Sequence, residues 1–242
     1  MIIHSLIASG NLLFYSDLPM RQHSGDRPGR NRVKTASTEK TARRTASKEA
    51  RQQQLIAATI RSVAKNGLSD TTMATVAQQA GLSQGIINLH FQSKERLLVE
   101  TLRHIAEEYR SAWEKALSSA PDKPADKLAA LVSVDFSLPV CDRSTLAVWF
   151  AFWGESKSRP TYRKICAQRD QAYRKEIVNV CCELVREGAY GDVDPATVGA
   201  SLSAMTSGCW LDLLIRPRSI SREQARQLCM SYLAATFPRH FG

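Results

Sequence analysis

The sequence predicts an all-α fold, with an N-terminal three-helix helix-turn-helix domain and a C-terminal helical domain, about nine helices in all. Apolar residues recur at helical spacing from residue 47 onward, and no segment keeps the period of two that a strand requires. A turn centred on Gly81 separates two short helical stretches, which is the spacing of a helix-turn-helix. The 242 residues are 43% hydrophobic, enough for a buried core.

Three segments are expected: a disordered basic extension over 1–46, the helix-turn-helix domain over 47–93 and the C-terminal domain over 94–242. Residues 21–46 show no apolar period, and residues 1–20 lack the basic start of a signal peptide. Met20 is a hypothetical alternative start of the functional chain. Residues 1–54 hold ten basic and four acidic side chains, +6 of the formal +10. A solvated tail and an arm that contacts phosphates both remain open.

Each helix of the N-terminal part is expected to begin at a serine or threonine N-cap: Ser47, Thr71, Ser83 and Ser93. The first helix is expected to end at Asn66-Gly67 and the second at Gly81. The third, Gln84 to Phe91, buries Ile87 and Phe91, which lie four residues apart. Proline and glycine breaks then separate five further helices, near 125–135, 143–157, 161–187, 194–215 and 221–236.

Cysteine spacing and hydropathy exclude several classes of protein. The six cysteines form no C-x-x-C pair and have no histidine at zinc-finger spacing, so neither a metal nor a cofactor is expected. Each is predicted to be a buried thiol in a reducing cytoplasm. No run reaches the roughly 18 apolar residues of a membrane-spanning helix, so no membrane partner is expected.

The third helix has the side chains that read the major groove of double-stranded DNA. Gln84 and Asn88 can pair with adenine edges, and Ile86 and Leu89 can contact thymine methyl groups. The outward side of the helix is predicted to comprise Gln84, Gly85, Ile86, Asn88, Leu89 and His90. Predicted phosphate contacts come from Thr71, Thr72, Ser83 and Lys94. A surface αα-hairpin would share this turn, but the basic segment before it favours DNA.

These residues resemble the TetR family of bacterial regulators over 47–100. The shared pattern comprises Gly67, Thr71-Thr72, Val76-Ala77, Ala80-Gly81-Leu82-Ser83, Gly85, Phe91, Ser93-Lys94 and Leu97-Leu98. Gly85-Ile86-Ile87 looks most like the BetI-type branch. The sequence departs from the family at Asn88, where many members have a tyrosine that contacts DNA, and at Leu89-His90, where BetI-type members have His-Tyr. The resemblance therefore implies a repressor but not its operator.

An aromatic cluster is the candidate effector site. Trp149, Phe152 and Trp153 lie at helical spacing, and Trp210 lies in a later helix; such rings can hold a quaternary ammonium, although aromatic residues at this spacing are usually core. The resemblance implies choline or a related amine, because BetI-type domains have W-x-A-F-W and D-G-L-W segments and respond to choline. Here Ser207 replaces the aspartate of the second segment. Substitute acids are Asp135, Glu155 and Asp212, each expected at the surface or at a helix end.

The last two long helices are expected to form a homodimer interface. The apolar residues assigned to it are Val198, Leu202, Met205, Leu228, Tyr232 and Leu233. The two helix-turn-helix domains of such a dimer are then expected to bind the two half-sites of a roughly palindromic operator. Two alternatives stay open. One is a dimeric module that binds protein instead of DNA, and the other is a small-amine enzyme, for which no hydrolase, nucleotide-binding or metalloprotease motif is present.

Overall fold

Ten α-helices make up most of the described chain. The computed structural model describes the backbone of residues 31–242 and the side chains of residues 47–242, and no strand occurs in that range. The helices are α1 (Asn31–Asp70), α2 (Met73–Gln79), α3 (Gln84–Phe91), α4 (Lys94–Ser119), α5 (Pro124–Asp135), α6 (Arg143–Glu155), α7 (Pro160–Gly188), α8 (Pro195–Ile215), α9 (Arg222–Thr236) and α10 (Pro238–Phe241). The all-α prediction is confirmed.

Helix α1 begins earlier than the sequence analysis predicted. It begins at Asn31 instead of after Ser47, so the expectation of disorder does not hold for residues 31–46. The reason is local: no glycine or proline occurs between Asn31 and Asn66, and alanine, lysine, arginine and glutamate are frequent there. Residues 1–46 and 47–242 form two separate units. The Met20 hypothesis and the signal-peptide question concern residues outside the described range.

Two glycines with positive φ shape the N-terminal helices. Gly67 interrupts α1 at φ +80° and ψ 175°, which is a backbone conformation almost confined to glycine, and this confirms the predicted end of the regular helix. Gly81 follows α2 at φ +66° and forms the turn into α3. Helix α3 has the predicted bounds. The predicted N-cap of α4 is confirmed, because the Ser93 hydroxyl accepts a hydrogen bond from the Arg96 backbone N–H at 3.2 Å.

Two hydrophobic cores lie on either side of the start of α4. The first joins α1, α2 and α3 and takes Leu97 from α4. The second takes the next residue, Leu98, and extends through α5 to α9. Adjacent leucines of one helix therefore anchor the helix-turn-helix and the C-terminal helices to the same rigid element. The domain boundary at residue 93 remains an interpretation that fits this division.

The C-terminal helices lie within two residues of their predicted bounds, because aspartate or serine N-caps and prolines at the first helical position mark their starts. Asp142, Asp194 and Ser221 accept backbone N–H groups at the starts of α6, α8 and α9. The one-turn helix α10 has no counterpart in the prediction. Five cysteines are buried as expected, but Cys182 is exposed because it lies on the solvent side of α7.

Helix α8 is the most apolar helix of the described chain. It has 21 residues, and an 18-residue window of it has a mean hydropathy of 1.3, which is sufficient by length and composition for a membrane span. One side of the helix nevertheless belongs to the protein core, where Val198, Leu202 and Trp210 are buried. Leu211 and Ile215 remain 41% and 61% exposed. Helix α8 is therefore a core helix with a second, uncovered apolar face.

Candidate DNA-binding surface and effector site

Helices α2 and α3 form a helix-turn-helix held by small buried residues. Ala77 and Ala80 are 3% and 7% exposed, and small side chains at these positions allow the helices to approach closely. The backbone N–H of Leu82 donates to the Ala77 carbonyl at 2.9 Å across the turn. Ile87 and Phe91 are buried as predicted. They fix the rotation of α3 about its own axis.

The solvent-facing side of α3 has the residues that the sequence assigned to base contacts. Gln84, Gly85 and Asn88 are exposed, and Leu89 is 78% exposed. Ile86 and His90 are half-buried at the edges of this face. A Cβ added at Gly85 would meet only the Ser83 hydroxyl oxygen, at 3.8 Å, so the face is open there. An exposed leucine between two exposed amides suits a surface that contacts both polar and methyl groups.

The two adjacent threonines before α2 have different environments, and the prediction for Thr71 is wrong. Thr71 is fully buried, and its hydroxyl donates to the Gly67 carbonyl at 2.8 Å. The hydroxyls of Ser62 and Thr71 lie 3.1 Å apart, so Ser62 donates to Thr71. Thr71 therefore closes the end of α1 and cannot contact a phosphate. The N-cap of α2 is Thr72, in a capping box with Thr75.

The other predicted phosphate contacts differ in how free their polar groups are. Ser83 is exposed at the N-cap of α3, and its hydroxyl makes no capping hydrogen bond. The Thr72 hydroxyl is exposed but accepts from the Thr75 backbone N–H at 3.1 Å. The Lys94 ammonium donates to the Ser69 carbonyl at 2.9 Å and so ties α4 to the end of α1. Two of its three donors remain for another partner.

In the C-terminal domain, four aromatic rings surround the guanidinium of Arg169, a residue that the sequence analysis did not identify. Its central carbon lies 4.1 Å from the ring centroid of Tyr109 and 4.5 Å from that of Trp149. The corresponding distances are 5.2 Å to Trp210 and 5.8 Å to Trp153. All four fall within the range of cation–π attraction. We call these four rings the aromatic cage.

Three of the four predicted effector residues belong to the aromatic cage, and Phe152 does not. The Phe152 ring is fully buried and packs edge-to-face against Tyr162, with centroids 5.0 Å apart. Trp149 and Trp210 are 1% exposed, and Trp153 is half-buried. The fourth ring, Tyr109, comes from α4. The sequence did not predict its place beside three tryptophans.

Asp135 lies beside the cage, at a helix end as one of the two expectations had it, but not at the surface. It ends α5, yet it is only 2% exposed. Its carboxylate accepts hydrogen bonds from the Tyr109 hydroxyl at 2.6 Å, the Tyr173 hydroxyl at 2.9 Å and the Thr206 hydroxyl at 3.2 Å. The Trp210 indole N–H donates to the backbone carbonyl of Asp135 at 2.8 Å. The acid that accompanies the cage therefore comes from α5.

Burial raises the pKa of the Asp135 carboxyl to about 6, and the donor hydroxyls and the Arg169 charge partly oppose that rise. Burial also holds the pKa values of the Tyr109 and Tyr173 hydroxyls well above 10, so both remain hydrogen-bond donors. Glu155 and Asp212 do lie at the surface, where Asp212 pairs with Arg216 at 2.5 Å.

Cavities lie on two sides of Arg169. One, of about 180 Å³, is bounded by Tyr109, Arg169, Tyr173, Thr206, Ser207 and Trp210. The other, of about 500 Å³, is bounded by residues of α4 and α7 that include Glu107, Arg110, Trp113, Gln168 and Arg169. Ser207, the residue that replaces the expected aspartate, is half-buried on the smaller cavity. Room for a small molecule therefore exists beside the cage.

Comparison with known proteins identifies the family. Residues 55–101 match the family described as bacterial regulatory proteins, tetR family, and residues 124–238 match the BetI-type transcriptional repressor C-terminal domain. The chain is 31% identical to the HTH-type transcriptional regulator BetI of Burkholderia thailandensis over 186 residues, which cover 77% of this chain and 93% of that protein. It is 32% identical to BetI of Paraburkholderia phymatum over 186 residues, 77% of this chain and 92% of that protein.

The chain belongs to the BetI-type branch of the TetR family. It is therefore a DNA-binding transcriptional repressor, and because members of this family are regulators, the enzyme alternative is rejected.

Solved structures agree with this assignment. A transcriptional regulator from Pseudomonas aeruginosa PAO1 has a TM-score of 0.69 and 28% identity, over 79% of this chain and 94% of that one. A regulator from Saccharomonospora viridis, solved in complex with choline, has a TM-score of 0.70 at 22% identity, over 76% of this chain and 96% of that one.

The raised pKa of Asp135 makes a prediction about stability. In the folded TetR-type chain this carboxyl keeps a proton up to about pH 6, whereas the ordinary value is 3.8. The native state therefore binds more protons between these values, and stability falls as the pH rises through them, by up to roughly 3 kcal/mol. The contribution is fully present below about pH 4 and is lost above about pH 6.

The Asp135→Asn variant should lack this pH-dependent contribution to the free energy of unfolding. Urea unfolding at pH 4, 5, 6 and 7, followed by fluorescence of the four tryptophans, measures the free energy of unfolding of both proteins. The difference, wild type minus Asp135→Asn, should decrease between pH 4 and pH 6 and change little between pH 6 and pH 7. A difference that stays constant with pH would show that the Asp135 carboxyl has an ordinary pKa.

Proposed function

We propose that this chain acts in the cytoplasm as a homodimer that places two copies of α3 in successive major grooves of a roughly palindromic operator and is released by a small organic cation. The observation that best supports DNA binding is that the two sides of α3 differ in burial. Ile87 and Phe91 anchor one side in the core, while Gln84 and Asn88 are exposed on the other. The exposed amides therefore take no part in packing α3 against the core.

The contacts to bases follow from the chemistry of the exposed side. The amides of Gln84 and Asn88 can each donate to N7 and accept from N6 of adenine. Leu89 and Ile86 provide carbon surface for thymine methyl groups, so A·T pairs are the expected readout. Gly85 allows the helix backbone to come close to the groove floor. His90, at the edge of the face, is the remaining candidate for a base or phosphate contact.

Phosphate contacts position this helix. Ser83 and Thr72 present hydroxyls at the N-termini of α3 and α2, where the positive ends of the helix dipoles also favour an anion. Lys94 adds a positive charge close by, held in place by the Ser69 carbonyl. The excess of 33 basic over 23 acidic residues supports attraction to a polyanion over longer distances.

The dimer interface that we propose consists of the uncovered faces of α8 and α9. Exposed residues with small or apolar side chains follow one stripe of α8: Ala204, Gly208, Leu211 and Ile215. A Cβ at Gly208 would meet nothing within 4 Å, so a partner helix can approach closely there. Leu228 of α9 is 51% exposed. Two such faces related by a two-fold axis form a four-helix interface.

This proposal revises the residues that the sequence assigned to the dimer. Val198, Leu202 and Leu233 are 3%, 1% and 0% exposed, so they pack within their own chain and cannot contact a partner. Met205 and Tyr232 are half-buried, and only Leu228 of the predicted set is exposed, at 51%. The helices assigned to the interface stay the same. The residues that face outward on these helices differ from those that the sequence predicted.

An organic cation is the effector class that the C-terminal domain suits best. Four rings and one buried carboxylate define a site for a positive charge, and each ring contributes about 0.5–2 kcal/mol to such binding. The choline complex of the Saccharomonospora viridis regulator, which shares this fold, supports choline or a related amine. The hydroxyl of Ser207 on the adjoining cavity offers a partner for a polar group on such a ligand.

A contiguous set of contacts connects the aromatic cage to the helix-turn-helix domain. Helices α6 and α7, which contribute Trp149, Trp153 and Arg169, meet at a turn that contains Arg159. The Arg159 guanidinium binds the Glu95 carboxylate at 2.7 Å in the first turn of α4. Helix α4 follows α3 after two residues. A movement of α6 or α7 on effector binding would therefore displace α3, which gives the reciprocal coupling between effector and DNA.

Asn88→Ala tests the recognition helix. A footprint on DNA that flanks the gene defines the operator, and fluorescence anisotropy then measures its affinity. Losing a bidentate contact of roughly 1–3 kcal/mol should weaken binding roughly 5- to 150-fold in each half-site. Asn179→Ala, at an exposed asparagine of α7, is the matched control and should bind as the wild type does. Equal affinities for the two variants would contradict the proposal, and an affinity independent of salt would indicate a protein partner.

Leu211→Glu combined with Leu228→Glu tests the interface. Four carboxylates then face one another across the two-fold axis, and sedimentation at micromolar concentration should show a monomer with weakened operator binding. Leu138→Glu, at a leucine that is 61% exposed outside α8 and α9, should remain a dimer. A double variant that still sediments as a dimer would place the interface elsewhere.

Choline should lower operator affinity if the effector and the DNA are coupled as proposed. The measurement is an anisotropy titration of the operator complex at choline concentrations that saturate the change in tryptophan fluorescence. Typical coupling free energies of roughly 1–3 kcal/mol correspond to a weakening of roughly 5- to 150-fold. Operator affinity that is the same with and without saturating choline would refute the coupling for this ligand.

A further inference from the structure

The aromatic cage already holds a positive charge from its own chain. The Arg169 guanidinium lies within 6 Å of four ring centroids, and the side chain is 7% exposed. An organic cation bound by these rings would have to occupy the same space, because cation–π attraction requires the charge to lie over the ring faces within this distance. The cage therefore has room for one cation at a time.

Hydrogen bonds hold the guanidinium only partly. One terminal nitrogen, Nη1, donates to the Asp170 carboxylate at 2.7 Å. The Nε nitrogen is buried and has no hydrogen-bond partner. The Asp135 carboxylate accepts from three hydroxyls and forms no ion pair with Arg169 within 4 Å. A buried donor without an acceptor costs free energy, so the occupied cage is a state that a better ligand can replace.

We propose that Arg169 is an internal competitor for the effector: its guanidinium occupies the aromatic cage of the free protein, and a cationic effector binds by displacing it. The inference rests on the proposed effector site and adds the residue that sets its affinity and selectivity. The apparent affinity for the effector is the intrinsic affinity multiplied by the fraction of time that the cage is free of Arg169. A quaternary ammonium succeeds only if its contacts with the rings exceed those of the guanidinium.

A neighbouring cavity can accept the Arg169 side chain when it leaves the aromatic cage. Arg169 already borders the cavity of about 500 Å³ between α4 and α7, which is open to solvent and in which the Glu107 carboxylate is paired with Arg110. The Asp170 carboxylate, 46% exposed, lies next to the side chain in sequence and can follow it. In that position the guanidinium can be hydrated, so its Nε–H no longer lacks a hydrogen-bond acceptor. The cage then keeps one positive charge near Asp135, now from the effector.

Arg169→Met is the decisive variant, because methionine removes the charge while keeping an unbranched apolar chain in place. Choline binding to the free protein, measured by calorimetry and by tryptophan fluorescence, should become at least about tenfold tighter than in the wild type, or about 1.4 kcal/mol. Arg169→Lys retains a competing cation and should bind choline as weakly as the wild type. Arg163→Met, at an exposed arginine of the same helix, is the matched control and should also resemble the wild type.

Two results would overturn the proposal. Equal, measurable choline affinity in wild type and Arg169→Met would show that Arg169 does not compete, whereas no binding by either would overturn the proposed effector site on which the inference rests. Binding to Arg169→Lys as tight as to Arg169→Met would show that side-chain space, and not charge, limits access. Because none of these samples contains DNA, a failure here leaves operator binding intact, and a failure of operator binding leaves these results intact.

A measurement on the wild type covers the case in which Arg169→Met does not fold. A guanidinium among four rings should give an Arg169 Nε–H proton resonance that is shifted far from those of exposed arginines by the ring currents. Saturating choline should return that resonance to the ordinary range. An unshifted Nε–H resonance in the free protein, or one that choline leaves unchanged, would contradict the displacement.

Discussion

The C-terminal domain is organised around one cation among four rings, next to one buried carboxylate. Tyr109 comes from α4, Trp149 and Trp153 from α6, the cation from α7 and Trp210 from α8. Asp135 ends α5 and is held by hydroxyls of α4, α7 and α8. Five helices therefore converge on a single charge, and their spacing depends on what that charge is. The hydrogen bonds to Asp135 form a buried polar network, and such networks specify one arrangement of a core more strictly than apolar contacts do.

Helix α4 connects this arrangement to DNA. The Arg159–Glu95 ion pair marks where the α6–α7 turn meets α4, but both side chains are about half exposed, and such pairs contribute little free energy. The coupling therefore depends on packing. Leu97 belongs to the core of the head and Leu98 to the core of the C-terminal domain. A rigid helix with adjacent residues in both cores cannot move in one domain without moving in the other, and α3 is joined to it through Gln92 and Ser93.

Local signals made the helices predictable from sequence, whereas the site depends on residues far apart in the chain. Caps, prolines and Gly67 placed most helix ends to within about two residues, although α1 begins at Asn31 instead of after Ser47. An ambiguity of one residue exchanged the roles of Thr71 and Thr72. The partners of Asp135 come from positions 26 to 75 residues away, which no local pattern relates. Phe152 illustrates a subtler limit. At about 100° per residue, it and Trp153 diverge around α6, so one faces Tyr162 and the other the cage.

The charge balance of the cage explains why an arginine belongs there. A buried carboxylate next to four rings without a cation would take up a proton or admit water, and either would loosen the five helices. Arg169 provides the charge while the effector is absent. An incoming organic cation restores the same charge, so the electrostatics of the site hardly change. What changes is the covalent tether, because Arg169 fixes α7 to the rings of α4, α6 and α8, and a free ligand does not. Exchange of a tethered cation for an untethered one thus releases α7, whose first turn touches the start of α4.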